Sequence, residues 1–317
     1  MVTILNLALP FFALIFLGVL AARLFRHGED GLRWLNTFVV WFALPALIYL
    51  VIAAAPFEKL ADWPFVTATS SVTIAMFLIM LCLARFVFGA PLTVAAIQAT
   101  SASYGNVGYM GLPLSVAFFG PAAAVPAALV FCFDCALQFI FTAFFATLGH
   151  ARDEEAHWGA TAFKIVKQVA GHPFIIATVL GAVASAWQFH PPMAIETVLE
   201  MLMRAAGPVA LFALGVTVGL RRFDRVGDEF AAIAGIKIFV QPFVALLVVG
   251  QLQGLEPLWL HVAVMMAALP TASNAFVLAS QYKSYVEGAS SAVIVTTALS
   301  ALTIPAIVYA INAGWLP

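Results

Sequence analysis

The sequence predicts an all-α integral membrane protein of ten transmembrane helices, built as two inverted five-helix repeats. Three observations carry that reading. Hydrophobic residues make up 64% of the 317 positions and charged residues 9%, against roughly 25% charged in soluble domains. Apolar stretches of the ~20 residues that span a bilayer core recur from end to end. A short residue pattern also repeats at one common shift, with Pro10-Phe11 and Leu17-Gly18 matching Pro173-Phe174 and Leu180-Gly181.

The first span is placed at 4–24. Its start lacks a basic leader, and its apolar run is too long for a cleaved signal. Further spans are expected at 32–52, 63–87, 91–119, 122–148, 171–189, 194–219, 229–251, 257–281 and 287–312. Trp34, Trp63, Trp158, Trp187, Trp259 and Trp315 fall near span ends or in a loop, as an interfacial aromatic belt requires. Only Trp41 falls inside a span.

The matched pairs lie 163 residues apart, and Ala43 and Pro45 fall on Ala206 and Pro208 at the same shift. Five spans per half is an odd number, so the second half must enter from the opposite face. That is the inverted repeat of many secondary transporters. The expected units are 1–149 and 171–317, joined by a cytoplasmic linker at 150–170. Loop charge sets the orientation. Eleven cations, among them Arg23, Arg26, Arg33, Arg152, Arg221, Arg222 and Arg225, fall in the odd-numbered loops, whereas the even loops and the tails hold Lys59 alone. The positive-inside rule then places both termini on the non-cytoplasmic side of the inner membrane.

The fourth span is longer than it needs to be, and its middle reads Ser101-Ala102-Ser103-Tyr104-Gly105-Asn106-Val107-Gly108-Tyr109-Met110-Gly111-Leu112-Pro113. Three glycines and a proline weaken the helix. Freed backbone groups are tolerated at membrane depth only against protein or a watery cavity. The ninth span carries a matching feature, Ala268-Leu269-Pro270-Thr271-Ala272-Ser273-Asn274. Paired interruptions point to a transport site, because half-helix N-termini favour anions and C-terminal carbonyls favour cations. The candidate substrate-binding residues are therefore Ser103, Gly105, Asn106, Gly108, Tyr109, Gly111, Pro113, Pro270, Thr271, Ser273 and Asn274. The plainer alternative is a small-residue packing face with a proline kink, and two interruptions weigh against it.

Three ionisable residues lie within spans: Asp134, Arg204 and Lys237. Each costs about 3 kcal/mol at a helix centre on insertion scales. Arg204, one turn before Pro208, is the candidate anion-binding cation. Asp134 and Lys237 are the candidate coupling pair, with Asp134 taking a proton from one side and releasing it to the other. For Arg204 and Lys237, snorkelling to the interface is the competing reading. Cys132 and Cys135 have C-x-x-C spacing but no second pair or nearby histidine, so they read as small helix residues and no metal or cofactor is expected.

Further blocks are Leu35-Asn36-Thr37-Phe38 with Ala43-Leu44-Pro45-Ala46-Leu47, and Phe276-Val277-Leu278-Ala279 with Tyr282. Together with Asn106–Leu114 and Ala267–Pro270, they make the chain resemble the auxin efflux carrier family. Plant auxin carriers and bacterial malonate and malate permeases belong to that family. The resemblance implies two inverted five-helix halves with helices four and nine crossing at their breaks beside the substrate. It also implies an anionic substrate, a mono- or dicarboxylate such as malonate or malate. The expected partners are that anion, protons ahead of Na+ as coupling ion, and lipid, with a homodimer left open. A net charge of −1 and the lack of a basic run give no reason to expect nucleic acid.

Two other classes compete. An uncoupled anion channel of the same architecture is barely separable by sequence. An intramembrane enzyme would need H-E-x-x-H, G-x-S-x-G or paired carboxylates inside spans, and none is present. The topology is testable: a reporter active only in the cytoplasm stays silent when fused after Pro317 and active when inserted beside Arg222.

Overall fold

The computed structural model describes residues 2–25, 29–60, 62–150, 163, 167, 170–220 and 227–315. The expected linker at 150–170 lies mostly outside the described residues, as do Arg26, Arg152, Trp158, Arg221, Arg222 and Arg225.

Every regular element among the described residues is helical. In chain order these are α1 (Val2–Phe25), α2 (Gly31–Ala54), α3 (Trp63–Val87), α4 (Leu92–Ser103), α5 (Val107–Phe119) and α6 (Pro121–Gly149). They continue as α7 (Pro173–Ala186), α8 (Met193–Leu220), α9 (Glu229–Val249), α10 (Pro257–Ala267), α11 (Ser273–Gln281) and α12 (Val286–Asn312). Among the described residues, α2, α3, α6, α8, α9 and α12 are long and apolar enough to cross a membrane, and α5, α7, α10 and Leu9–Phe25 are shorter apolar helices. This is a multi-pass membrane protein. Of the tryptophans assigned to an interfacial belt, Trp34, Trp63, Trp187 and Trp315 are exposed. Trp259 departs from it, being buried edge-on against Phe65.

Local chemistry explains the starts and irregularities. Asp62 caps α3, its carboxylate accepting from the Phe65 N–H at 3.1 Å. Prolines open α6, α7 and α10, where a missing N–H costs nothing. Three widened π-turns, Val39–Ala43, Val107–Gly111 and Ile236–Val240, each end two residues before a proline: Pro45, Pro113 and Pro242. Proline clashes with the carbonyl four residues back. In each case the residue just before the proline donates five residues back instead, as Gln241 does to Ile236. Such single-turn bulges often mark functional sites.

The helices sort into two packing groups, each drawn from both halves of the chain. In one, α1 packs on α8, α7 on α2, and α8 on α2. In the other, α3, α4 and α6 pack together with α9, α10 and α12. The first group is held by glycine faces. A Cβ on Gly18 would collide with the Phe212 carbonyl of α8, and one on Gly215 with the Ile15 carbonyl of α1. On the other pair, a Cβ on Gly181 would meet Ile52 of α2 at 3.0 Å. In lipid, helix association depends on such close van der Waals approach, because no hydrophobic force separates protein from acyl chains.

Gly215→Val should therefore destabilise the purified protein by roughly 3 kcal/mol through overpacking against backbone. Gly235→Ala, a helical position with nothing within 4 Å of its would-be Cβ, should be neutral or slightly stabilising. Thermal unfolding in one detergent compares the two.

Candidate functional site

The site begins with two helix interruptions. α4 ends at Ser103, Tyr104 is extended and α5 starts at Val107. The first break thus falls at Gly105, whereas Pro113 sits inside α5 behind the widened turn. α10 ends at Ala267 and α11 starts at Ser273. Here Pro270 is the cause, because the residue before a proline is driven out of the helical region.

The two interruptions meet. The Asn106 N–H donates to the Pro270 carbonyl at 2.8 Å, and the Ala272 N–H to the Tyr104 carbonyl at 2.9 Å. Gly105 and Thr271 face each other between these bonds as an isolated antiparallel bridge. Backbone groups freed by each break thereby satisfy one another at membrane depth. Side chains lock the contact. Thr271 donates through Oγ1 to the Ser101 carbonyl at 2.7 Å, and its N–H donates to Thr296 Oγ1 at 2.9 Å.

The spacing of Gly105, Gly108 and Gly111 is explained by three different neighbours. A Cβ on Gly105 would sit 3.3 Å from Lys237 Nζ, one on Gly108 3.0 Å from the Phe131 ring, and one on Gly111 2.6 Å from Met266 Sδ.

The crossing separates charge preference by direction. The C-terminal carbonyls of α4 and α10 meet donors from α9. Gln241 Nε2 donates to the Ser103 carbonyl at 3.1 Å, and Lys237 Nζ to the Ala267 carbonyl at 2.9 Å. Lys237 also donates to Gln241 Oε1 at 2.6 Å and is fully buried. The N-termini of α5 and α11 present their N–H ends at the same place. There, Asn106 Nδ2 and Ser273 Oγ are buried without a hydrogen-bond partner among the described residues. Asn274 Nδ2 donates to Tyr104 Oη at 3.2 Å, and Tyr104 Oη lies 2.8 Å from Cys135 Sγ.

Asp134 is buried on α6 and accepts from Thr73 Oγ1 at 2.5 Å. It makes no direct ion pair with Lys237; a cavity of about 20 Å³, lined by Asp134, Thr73, Gln241 and Ala267 among others, lies beside it. Ser103 Oγ accepts from Gln138 Nε2 at 2.7 Å, one helical turn beyond Asp134.

The residues singled out from sequence thus divide. Ser103, Gly105, Asn106, Gly108, Gly111, Pro270, Thr271, Ser273 and Asn274 cluster at or beside the crossing, and Lys237 touches it. Tyr109 reaches outward to Asn36 Oδ1 on α2 at 3.3 Å. Pro113 and Arg204 lie apart, lining a cavity of about 380 Å³ with Pro10, Leu47 and Pro208, where α5 meets α1, α2 and α8. The Arg204 side chain is 78% exposed and pairs with Glu200 at 3.6 Å. Sequence reasoning missed Gln241, Tyr104, Thr73 and Thr296. The signal for Gln241 was present: it is a polar residue in an apolar span, one turn after Lys237 and just before Pro242.

Residues 3–308 match the model of a family described as membrane transport protein. The chain belongs to that family. It is 38% identical, over all of its length and 98% of the relative, to a Rhizobium meliloti (strain 1021) protein named "Putative malonate transporter". It is 26% identical to an "Uncharacterized transporter" of Methanothermobacter thermautotrophicus, covering 92% of this chain and 93% of that one. A partial likeness, 29% identity over 41% of this chain and 21% of the relative, extends to "Auxin efflux carrier component 1" of Arabidopsis thaliana. The likeness to auxin efflux carriers read from the sequence is therefore upheld. The relatives it matches are named as transporters rather than enzymes, and among the described residues buried polar groups gather where two helices break and cross.

Two substitutions separate structure from binding within the cluster. Thr271→Val strips the buried Ser101 carbonyl of its side-chain donor and should cost about 1–3 kcal/mol. Asn106→Ala removes a buried amide nitrogen with no partner among the described residues and should cost less stability than Thr271→Val. Both are read by thermal unfolding in detergent.

Proposed function

We propose that this membrane transport protein is a secondary carrier that moves a small organic anion across the inner membrane by alternating access, coupled to protons. The anion class is a mono- or dicarboxylate such as malonate or malate. One observation carries the reading: the N-termini of α5 and α11 converge at the crossing, where the Asn106 amide nitrogen is buried with no acceptor among the described residues. A buried donor without a partner is costly, and a carboxylate placed there would accept from it and from the helix-end N–H groups. The name of the Rhizobium relative supports the same substrate class.

In this proposal the ten apolar segments all span the membrane as two inverted halves, 1–149 and 171–317, with both termini outside. The pairing of α1 with α8 and of α7 with α2 supports it, because Gly18 and Gly181, matched by the 163-residue shift, each pack into the partner helix of the other half. The group holding the crossing moves against the group of α1, α2, α7 and α8, and the cavity beside Pro113 and Arg204 lies on the route. Arg204, exposed at its edge, attracts the anion during entry. Asp134 is the proton-carrying group, since it is buried at about mid-membrane beside the crossing.

The test uses purified protein in liposomes. Wild type should accumulate [14C]malonate when the proton gradient is imposed, and should exchange it at equal pH. Asp134→Asn should lose gradient-driven accumulation at least tenfold while retaining exchange. Asn106→Ala should lose both. Wild-type accumulation by Asp134→Asn would remove the coupling role, and flux without counterflow would identify a channel.

A further inference from the structure

We infer that the cation position at the helix crossing is permanently filled by the protein's own Lys237 ammonium, so that the membrane transport protein needs no metal cation there and holds a latent site for one. In transporters with interrupted helices, the C-terminal carbonyl ends of half-helices are the groups that bind a coupling cation. Here those ends are Ser103 and Ala267, and they are already engaged. Lys237 Nζ takes the Ala267 carbonyl directly, and it takes Gln241 Oε1, whose own Nε2 holds the Ser103 carbonyl. One ammonium therefore neutralises two helix C-termini, one by contact and one through an amide.

The surroundings are those of a cation site. Lys237 is fully buried, and removing a lone charge from water costs several kcal/mol unless acceptors surround it. Beyond the two acceptors it touches, the Asp134 carboxylate lies near enough to attract it, and a small cavity that Gln241, Thr73 and Ala267 also line sits beside that carboxylate. That cavity, about 20 Å³, suits one water. An ammonium has three N–H donors, two of which meet protein oxygens. The Met266 carbonyl lies close as well, 3.3 Å from where a Gly105 Cβ would stand, as does Nζ itself. Without the lysine side chain, a space bordered by the Ala267 carbonyl and Gln241 Oε1 would remain, with the Met266 carbonyl and the Asp134 carboxylate near it. Oxygen ligands with one carboxylate suit Na+ or a small alkylammonium. The widened turn Ile236–Val240 carries Lys237 on the same helix segment as Gln241, so both donors enter the crossing together.

The inference does not need the substrate assignment, and its primary readout is stability rather than transport. Purified wild type, Lys237→Ala and Lys237→Gln are unfolded thermally at constant ionic strength in choline, Na+, K+ or methylammonium chloride. Wild type should be indifferent to the cation. Both variants should melt lower in choline and rise saturably with Na+ or methylammonium, by roughly 5 °C across a hundredfold excess over the dissociation constant. Adding Asp134→Asn to Lys237→Ala should weaken that response at least tenfold in cation concentration. A wild type stabilised selectively by Na+ would overturn the inference. So would folded variants indifferent to every cation, and so would variants that aggregate in every salt, since no site for a free cation would then exist. None of these outcomes bears on malonate uptake, whose failure would sink the carrier reading alone.

Discussion

Two backbone hydrogen bonds, Asn106 to Pro270 and Ala272 to Tyr104, are the constraint on which the rest of this structure depends. A helix interrupted inside a bilayer exposes donors and acceptors that lipid cannot satisfy. One interruption would need water or side chains to cover it. Two interruptions laid antiparallel cover each other with backbone, which demands close approach. Gly105 supplies that by having no side chain where Lys237 and the Met266 carbonyl lie. Thr271 and Thr296 then take up groups that the bridge leaves over. The composition of this short region follows from the need to bring two chains and a lysine into one small volume.

The crossing also organises charge. Two helix C-termini pointing together place partial negative charge at membrane depth, and a buried lysine is tolerable because that charge is there. Asp134 balances it in turn without direct contact, and a water-sized cavity lies beside the Asp134 carboxylate. A tight ion pair would be a fixed structural unit; two charges that do not touch keep distinct surroundings. The N-termini of the following half-helices, α5 and α11, present polar groups unpartnered among the described residues instead, Asn106 Nδ2 and Ser273 Oγ. The proposed anion site and the lysine-filled cation position are thus the two polar ends of one arrangement.

The glycine faces serve a different need. Gly18 against α8, Gly215 against α1 and Gly181 against α2 bind helices of one half to helices of the other. The groups that pack together are therefore not the halves that repeat in sequence. A unit of α1, α2, α7 and α8 beside a unit carrying the crossing is the division along which relative motion is proposed.

Much of this was legible in the sequence for a physical reason: a bilayer reads length and polarity. Apolar runs placed the helices, and Trp63–Val87 has the bounds that apolar length alone assigned. Glycine and proline marked both interruptions because backbone propensity is local. Asp134 and Lys237 stood out because a charge in an apolar span is expensive wherever it ends up. Tertiary structure decided what depends on neighbours distant in the chain. It put the first break at Gly105 rather than at Pro113, and it placed Arg204 at an exposed cavity edge away from the crossing. It sent Lys237 to the Ala267 carbonyl with Gln241 as its intermediary, and it buried Trp259. Local sequence specifies where a helix must stop, but which group meets the freed carbonyl is set by packing between segments 30 to 138 residues apart.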